Sequence, residues 1–139
     1  MAFKSGDQVE VCSKEDGFLG SYYTATVVSQ IGTSSYAVQY KNLVEEDECT
    51  PLTEVVKADE LRPMPPKPPF VSSFCYLDMV DAFDNDGWWV GKITRKKGCN
   101  YYVYFDTTRD EIAYHVSRLR FHQDWFNGNW IITSKKGVV

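Results

Sequence analysis

Two clusters of aromatic side chains stand out in this sequence, because carboxylates follow each of them closely. The first cluster and the acidic run behind it consist of Phe18, Tyr22, Tyr23 and Tyr40, then Glu45, Glu46, Asp47 and Glu48. Several ring faces together hold a methylated ammonium, which ordinary hydrogen bonds cannot satisfy, at about 0.5–2 kcal/mol per contact. We therefore predict a cage for a quaternary or dimethyl ammonium in the first cluster. The acidic run is predicted to bind unmodified basic residues of the same peptide.

A second cluster repeats the arrangement, with the members Phe83, Trp88, Trp89, Phe105, Asp106, Asp110 and Glu111. Successive side chains of a strand point to opposite faces. Only one of Tyr22 and Tyr23, and only one of Trp88 and Trp89, can therefore face a cage. The alternative cage in this second cluster consists of Phe83, Trp89, Phe105 and Asp110. Two plainer interpretations stay open: the rings form the cores of small domains, and the acidic run is a solvated loop.

Other site chemistries find little support in the sequence. It contains no nucleophile elbow, phosphate-binding loop or metal-binding spacing, so we predict no enzyme, no metal, no cofactor and no small-molecule substrate. No apolar run approaches the roughly 20 residues of a membrane helix, so we expect no membrane partner. We expect buried or half-buried thiols in a reducing compartment at the four cysteines, Cys12, Cys49, Cys75 and Cys99.

Charge is distributed unevenly along the chain. Residues 1–69 contain 6 Lys and Arg against 11 Asp and Glu, a net charge of −5, whereas residues 70–139 contain 9 against 8, a net charge of +1. An acidic surface suits a peptide rich in Lys and Arg. It disfavours the phosphate backbone of nucleic acids, where affinity comes from neutralising phosphates. The turn Arg95-Lys96-Lys97 nevertheless keeps a nucleic-acid-binding module open as an alternative.

The elements that must position these residues are short strands. Alternating apolar residues and runs of β-branched and aromatic residues predict strands over 8–12, 22–28, 36–40 and 53–56. In the second strand Tyr23 and Ala25 share one face, and Tyr22 lies on the other. Turns are predicted at 15–17 and 32–34, a long acidic loop at 41–48, and a helical turn with a last short strand at 57–62.

The same order of elements returns after residue 70. A strand over 77–83 and a turn over 84–87 lead to Trp88-Trp89-Val90-Gly91, which corresponds to Tyr22-Tyr23-Thr24-Ala25. The further correspondences are Val80 to Val9, residues 101–105 to 36–40, Glu111-Ile112 to Glu54-Val55, and Leu119-Arg120 to Leu61-Arg62. We therefore predict two copies of one five-stranded unit.

A small residue after each aromatic pair, Ala25 or Gly91, predicts a bent strand and an SH3-like barrel. The predicted fold class is all-β, with two tandem five-stranded barrels packed side by side. Five of the six prolines lie between Leu61 and Phe70, which indicates a stiff connector. The predicted organisation is a first domain over 1–64, a Pro-rich linker over 65–70, a second domain with its C-terminal tail over 71–132, and a disordered end over 133–139.

These residues resemble plant Agenet domains, which belong to the Tudor-like royal group. The resemblance covers roughly residues 3–131. Its motifs are Gly17-Phe18-x-Gly20-x-Tyr22-Tyr23-x-Ala25, Tyr36-x-Val38-x-Tyr40, Trp88-Trp89, Arg118-Leu119-Arg120 and the tail His122-x-Asp124-Trp125. It implies Tudor-like barrels without enzymatic activity. The implied cage positions are Tyr23 and Tyr40 in the first copy and Phe83, Trp89 and Phe105 in the second.

The resemblance also implies a partner and a location. Tandem Agenet proteins of this type bind a histone H3 tail dimethylated at lysine nine and act in heterochromatin silencing, so we expect a nuclear chromatin reader with this specificity. The acidic run favours the first copy as the methyl-lysine site. Two other functions stay open, a nucleic-acid-binding Tudor-like module and a protein scaffold that ignores methylation.

Overall fold

The computed structural model describes residues 2–14, 18–66 and 73–132. The predicted turn at 15–17, the connector residues 67–70 and the C-terminal end at 133–139 lie outside the described residues. The chain divides into two compact units, Met1–Met64 (unit 1) and Pro65–Val139 (unit 2). Both consist of antiparallel strands, which confirms the predicted all-β class.

Unit 1 is a five-stranded antiparallel sheet. Its strands are β1 (Gln8–Val11), β2 (Ser21–Ile31), β3 (Ser35–Val44), β4 (Pro51–Lys57) and β5 (Leu61–Pro63). They lie in the order β5-β1-β2-β3-β4. A 3-10 turn at Ala58–Glu60 connects β4 to β5. In the described part of the chain no hydrogen-bonded ladder joins β4 to β5, so the sheet does not close into a barrel at this turn.

Unit 2 repeats this sheet and adds a hairpin. Its strands are β6 (Met79–Asp84), β7 (Gly87–Lys97), β8 (Asn100–Phe105), β9 (Asp110–His115) and β10 (Leu119–Phe121). They lie in the order β10-β6-β7-β8-β9, with a 3-10 turn at Val116–Arg118 before β10. The hairpin consists of β11 (Gln123–Phe126) and β12 (Asn129–Ile132) and lies in the C-terminal tail.

The strand registers confirm that the two units are copies. Val9 pairs with Ala25, and Val80 pairs with Gly91. Val27 pairs with Val38 and Ile93 with Val103, and both second strands have a β-bulge directly afterwards. A Cβ atom at Gly91 would lie 2.4 Å from Val103 Cγ1 and 2.9 Å from the Tyr104 carbonyl oxygen. The crossing of β7 and β8 therefore requires the small residue that the sequence indicated.

Each unit has its own core of inward-facing apolar side chains. The core of unit 1 includes Val9, Val11, Ala25, Val27, Val38 and Val56, and that of unit 2 includes Val80, Ala82, Ile93, Tyr101, Val103 and Leu119. Phe121 packs against Phe74, with ring centroids 4.9 Å apart. The first residues of the C-terminal tail therefore contribute to the second core.

Three expectations about local structure were wrong. Strand β3 continues to Val44, so the first half of the predicted acidic loop at 41–48 is strand. Strand β6 begins at Met79 rather than at Leu77, because Leu77 has a φ of 68° and lies in a turn. Cys49, Cys75 and Cys99 are exposed, and Cys12 alone among the four is partly buried. All three exposed thiols lie outside the inward-facing strand positions. No helix formed by the described residues is long and apolar enough to cross a membrane.

Candidate functional site

Three aromatic rings form a connected row in unit 1. The ring centroids of Phe18 and Tyr23 are 6.2 Å apart, and those of Tyr23 and Tyr40 are 6.4 Å apart, both in edge-to-face geometry. Tyr23 lies opposite Val11, and Tyr40 lies opposite Ala25, so the sheet register brings the two tyrosines to one face. Tyr23 and Tyr40 are 7% and 6% exposed, whereas Phe18 is 43% exposed. Phe18 is therefore the solvent-facing member of the row.

A carboxylate that the sequence analysis did not single out lies beside this row. The Tyr40 hydroxyl donates a hydrogen bond to Glu54 Oε1 at 3.1 Å. Glu54 is exposed on β4, where it pairs with Val38, two residues before Tyr40 on β3. Glu54 lies within the strand predicted over 53–56. The register between β3 and β4 decides which residue of that strand lies next to Tyr40, and the sequence alone does not give this register.

Tyr22 lies in a different environment from Tyr23. The guanidinium carbon of Arg62 is 3.5 Å from the centroid of the Tyr22 ring. The same guanidinium donates from Nη2 and Nε to Glu10 Oε1, at 2.7 and 3.0 Å. Both charged side chains are buried, and so is Tyr22. Of the predicted first-copy cage residues, Phe18, Tyr23 and Tyr40 thus form the ring row, and Tyr22 covers a buried ion pair.

Unit 2 contains the counterpart of this ion pair. Arg120 Nε donates to Asp81 Oδ2 at 2.8 Å, and the Arg120 guanidinium carbon is 4.1 Å from the Trp88 ring centroid. Asp81 Oδ1 also lies 2.8 Å from His122 Nδ1. These acid–arginine–aromatic groups were not foreseen. The sequence offered a signal, because Leu-Arg recurs at the end of both copies and an acid occurs at the same position in β1 and β6.

The predicted cage of unit 2 is divided between two places. The Phe83 ring lies 5.1 Å from the Trp88 ring. Trp89 Nε1 instead donates to the Asp84 carbonyl oxygen at 2.9 Å, and the Phe105 ring lies 6.1 Å from that of Tyr114. Asp110 is exposed and lies opposite Phe105 in the register of β8 and β9.

Tyr114, which was not among the predicted residues, occupies the position that Val56 has in unit 1. Its hydroxyl donates to Asp84 Oδ2 at 2.7 Å. Burial, followed by the hydrogen bond to Asp84, raises the pKa of Tyr114 far above its usual range. The phenol therefore remains a donor at physiological pH. Tyr114 and Phe105 are both less than a tenth exposed, so this aromatic group is part of the core of unit 2.

The acidic run follows β3 as a turn. Asp47 accepts hydrogen bonds from the Thr50 hydroxyl at 2.6 Å, the Thr50 amide at 2.8 Å and the Cys49 amide at 2.9 Å. These bonds, the one from the Thr50 hydroxyl first, lower the pKa of Asp47. The Asp47 carboxylate is therefore occupied in its own turn, a common use of Asp. All four acids are exposed, and Glu45, Glu46 and Glu48 present their carboxylates to solvent.

A metal does not account for these acidic side chains. Across the ranges 2–14, 18–66 and 73–132, no group of three or more His, Cys, Asp or Glu residues has the spacing of a metal site. At its surface this site offers the exposed Phe18 ring and the Glu54 carboxylate, which together suit an organic cation. Tyr23 and Tyr40 belong to the core of unit 1.

Comparison with known proteins places this arrangement in a family. The Agenet domain model matches residues 6–66 and 77–131. Protein AGENET DOMAIN (AGD)-CONTAINING P1 of Arabidopsis thaliana is 39% identical over 139 residues, which cover 99% of this chain and 27% of that protein. DUF724 domain-containing protein 3 of the same plant is 36% identical over 129 residues, 88% of this chain and 19% of that protein. The chain thus spans about a quarter or less of these relatives.

Two solved structures have the same fold over nearly the whole chain. The crystal structure of Arabidopsis thaliana AGDP1 AGD34 superposes with a TM-score of 0.88 at 37% identity, covering 94% of this chain and 89% of that one. The ADCP1 tandem Agenet domain 3-4 superposes with a TM-score of 0.84 at 34% identity, covering 94% and 87%. Two family matches, one to each five-stranded unit, and two tandem structural relatives lead to one conclusion: the chain belongs to the Agenet domain family and contains a tandem pair of Agenet units.

Proposed function

We propose that this tandem Agenet pair is a nuclear chromatin reader that binds a histone H3 tail through dimethylated lysine nine and serves heterochromatin silencing. The observation that carries the proposal is the row of Phe18, Tyr23 and Tyr40 with the Glu54 carboxylate beside it. Three ring faces with one nearby carboxylate match the needs of a cation that still has one N–H. Agenet modules are peptide-binding modules, which supports a histone tail as the partner.

Unit 1 suits the ligand better than unit 2. In unit 1 one member of the row, Phe18, is 43% exposed, and Glu54 is exposed beside Tyr40. In unit 2 Phe83 and Trp89 are half-buried and lie in separate places, Phe105 is buried, and the Tyr114 hydroxyl is bound to Asp84. Because Tyr23 and Tyr40 are each less than a tenth exposed, the methylated side chain reaches them by turning Phe18 aside. The flexible Glu45, Glu46 and Glu48 side chains then attract unmodified basic residues of the tail.

Calorimetric titration with H3-tail peptides, unmodified and dimethylated at lysine nine, tests the proposal. We expect micromolar binding that requires the methyl groups. Tyr23→Ala or Tyr40→Ala should weaken binding of the methylated peptide by about 1–3 kcal/mol, as is usual for a central aromatic contact. Glu54→Gln should weaken it less, because the ring contacts remain.

The matched control is Tyr76→Ala, which removes a tyrosine ring that is 64% exposed and outside the row. Far-UV circular dichroism of every variant establishes that it is folded. Equal binding of both peptides would show that the acidic turn acts by charge alone. Unchanged affinity in the Tyr23 and Tyr40 variants would move the site out of unit 1, and no binding to either peptide would favour a scaffold.

A further inference from the structure

Strand β7 of unit 2 carries four cations, and three of them, Lys92, Arg95 and Lys97, lie on one face; we call these three the β7 cation row. The fourth, Lys96, pairs with the buried Tyr101 and lies on the other face, with its Nζ 5.7 Å from that ring centroid. A β-bulge between Ile93 and Arg95 shifts the register of this strand. Residues paired across a ladder share a face. Arg95, opposite Tyr102, therefore lies on the same outer face as Lys92, opposite Tyr104, whereas Ile93, opposite Val103, is buried.

Two tyrosine rings of β8 lie against cations of this row. The Arg95 guanidinium carbon is 4.0 Å from the Tyr102 ring centroid. Lys92 Nζ is 5.4 Å from the centroid of the Tyr104 ring. A guanidinium stacked on a ring keeps its N–H edges pointing away from the ring, which is the geometry that binds a phosphate with two bonds. Because the cations cover these ring faces, the tyrosines are not available to stack on unpaired bases.

Unit 1 shows that the fold does not need these cations. The same strand positions, aligned through the shared register and bulge, are occupied there by Thr26, Ser29, Gln30 and Ile31. The positions of Tyr102 and Tyr104 are occupied by Ala37 and Gln39. One strand geometry thus occurs twice in the chain, once with four cations and once with none. The requirements of the fold therefore do not explain why unit 2 has these cations.

Nearby carboxylates neutralise only part of the row. Lys92 Nζ is 3.6 Å from Asp106 Oδ1, and Arg95 Nη2 is 3.4 Å from Glu111 Oε1. Exposed pairs with such long separations exchange readily with other anions. Within the described ranges, no carboxylate oxygen lies within 4.0 Å of the ammonium of Lys96 or Lys97. These two lysines, at the tip of the β7–β8 hairpin, are the most available cations.

We infer that the β7 cation row binds the phosphate backbone of duplex DNA without reading its sequence. Lys92 and Lys97 lie opposite Tyr104 and Asn100, four residues apart on β8, so the row spans about 13 Å at 3.3 Å per residue. One strand of duplex DNA presents a phosphate about every 3.4 Å of axis, so this span faces about four phosphates. A regular row of cations on a rigid strand fits a regular row of phosphates. The covered tyrosines disfavour single strands, whose binding depends on base stacking.

The test is fluorescence anisotropy of a short labelled duplex DNA titrated with the chain over a salt series. Three neutralised phosphates predict that log K falls with log[salt] with a slope of about −2.7, or about 40-fold between about 50 and about 200 mM salt. The variant Arg95→Ser/Lys96→Gln copies Ser29 and Gln30 of unit 1, removes Arg95 from the row, and should flatten the slope by about 0.9. The control Lys41→Gln/Lys57→Gln removes two exposed cations of unit 1 and should leave the slope unchanged.

Three results would overturn the inference: no DNA binding at the lowest salt, an unchanged slope in the Arg95→Ser/Lys96→Gln variant, or tighter binding of duplex RNA or of an acidic peptide than of duplex DNA. The inference does not rest on the peptide site of unit 1. Titration of the Arg95→Ser/Lys96→Gln variant with the methylated H3 peptide should give the wild-type affinity. Failure of one proposal therefore leaves the other testable.

Discussion

The buried ion pair of unit 1 allows a quantitative prediction. The change is Arg62→Met, which removes the hydrogen bonds from Nε and Nη2 to Glu10 and leaves that carboxylate buried, with 0% of its side chain exposed. Removing one partner of a buried pair costs about 3–5 kcal/mol. Loss of the stacking on Tyr22 adds about 0.5–2 kcal/mol. At about 0.05–0.15 kcal/mol per residue, the 64 residues of Met1–Met64 have a total stability of only about 3–10 kcal/mol.

The assay is urea unfolding followed by far-UV circular dichroism. The Arg62→Met variant should lose most of the stability of unit 1 or fail to fold it. The double variant Glu10→Leu/Arg62→Met removes both charges and should be close to the wild type, because well-packed apolar side chains often replace a buried pair at no loss. Lys14→Met breaks an exposed pair with Asp59, 65% exposed on both sides, and should leave the urea midpoint unchanged. A double variant as unstable as the single one would refute the reasoning, since the cost would then not come from a stranded carboxylate.

Two further predictions concern unit 2. Gly91→Ala should destabilise it by about 1–3 kcal/mol through overpacking against Val103, whereas Gly98→Ala, with open space around it, should cost about 1 kcal/mol because its φ is +64°. If urea unfolding showed that Gly91→Ala and Gly98→Ala lose equal stability, the close crossing of β7 and β8 would be contradicted. Burial lowers the pKa of His122, but Asp81 and Asp124, 2.8 and 2.9 Å from its ring nitrogens, raise it more, and the net shift is upward. Its protonated form, balanced by the Asp81 and Asp124 carboxylates, therefore stabilises the fold fully below about pH 6.5, and this stability is lost as pH rises through the folded pKa. His122→Gln should flatten the decline in urea midpoint as pH rises above about 6.5, and an unchanged decline would contradict the assignment.

Local sequence patterns were sufficient to predict the repeated all-β architecture. Val80 corresponds to Val9 in the sequence, and the two residues do occupy the same register position opposite Gly91 and Ala25. Alternation limits each aromatic pair to one ring per face, and the structure separates Tyr22 from Tyr23 accordingly. These inferences depend only on period-two alternation and turn chemistry, which are local properties of the chain.

The parts that sequence reasoning missed depend on contacts between distant strands. Glu54 reaches Tyr40 because of the register of β3 and β4, and Arg62 reaches Glu10 across 52 positions of the chain. Neither register follows from composition or spacing. Tyr114 shows the same limit, because its aromatic ring joins Phe105 only through the pairing of β8 with β9. The cysteines were misjudged because their usual preference for burial says nothing about residues in turns.

The pairing of first and last strands has a consequence for how such proteins arise. Val9 at the start of β1 lies opposite Pro63 at the end of β5, and Val80 lies opposite Phe121 in the same way. Opposite residues of antiparallel strands are about 5 Å apart. The polypeptide therefore enters and leaves each unit at nearly the same point. A gene segment that encodes such a unit can be duplicated in tandem, or its ends joined and reopened at another loop, without stretching the backbone across the fold.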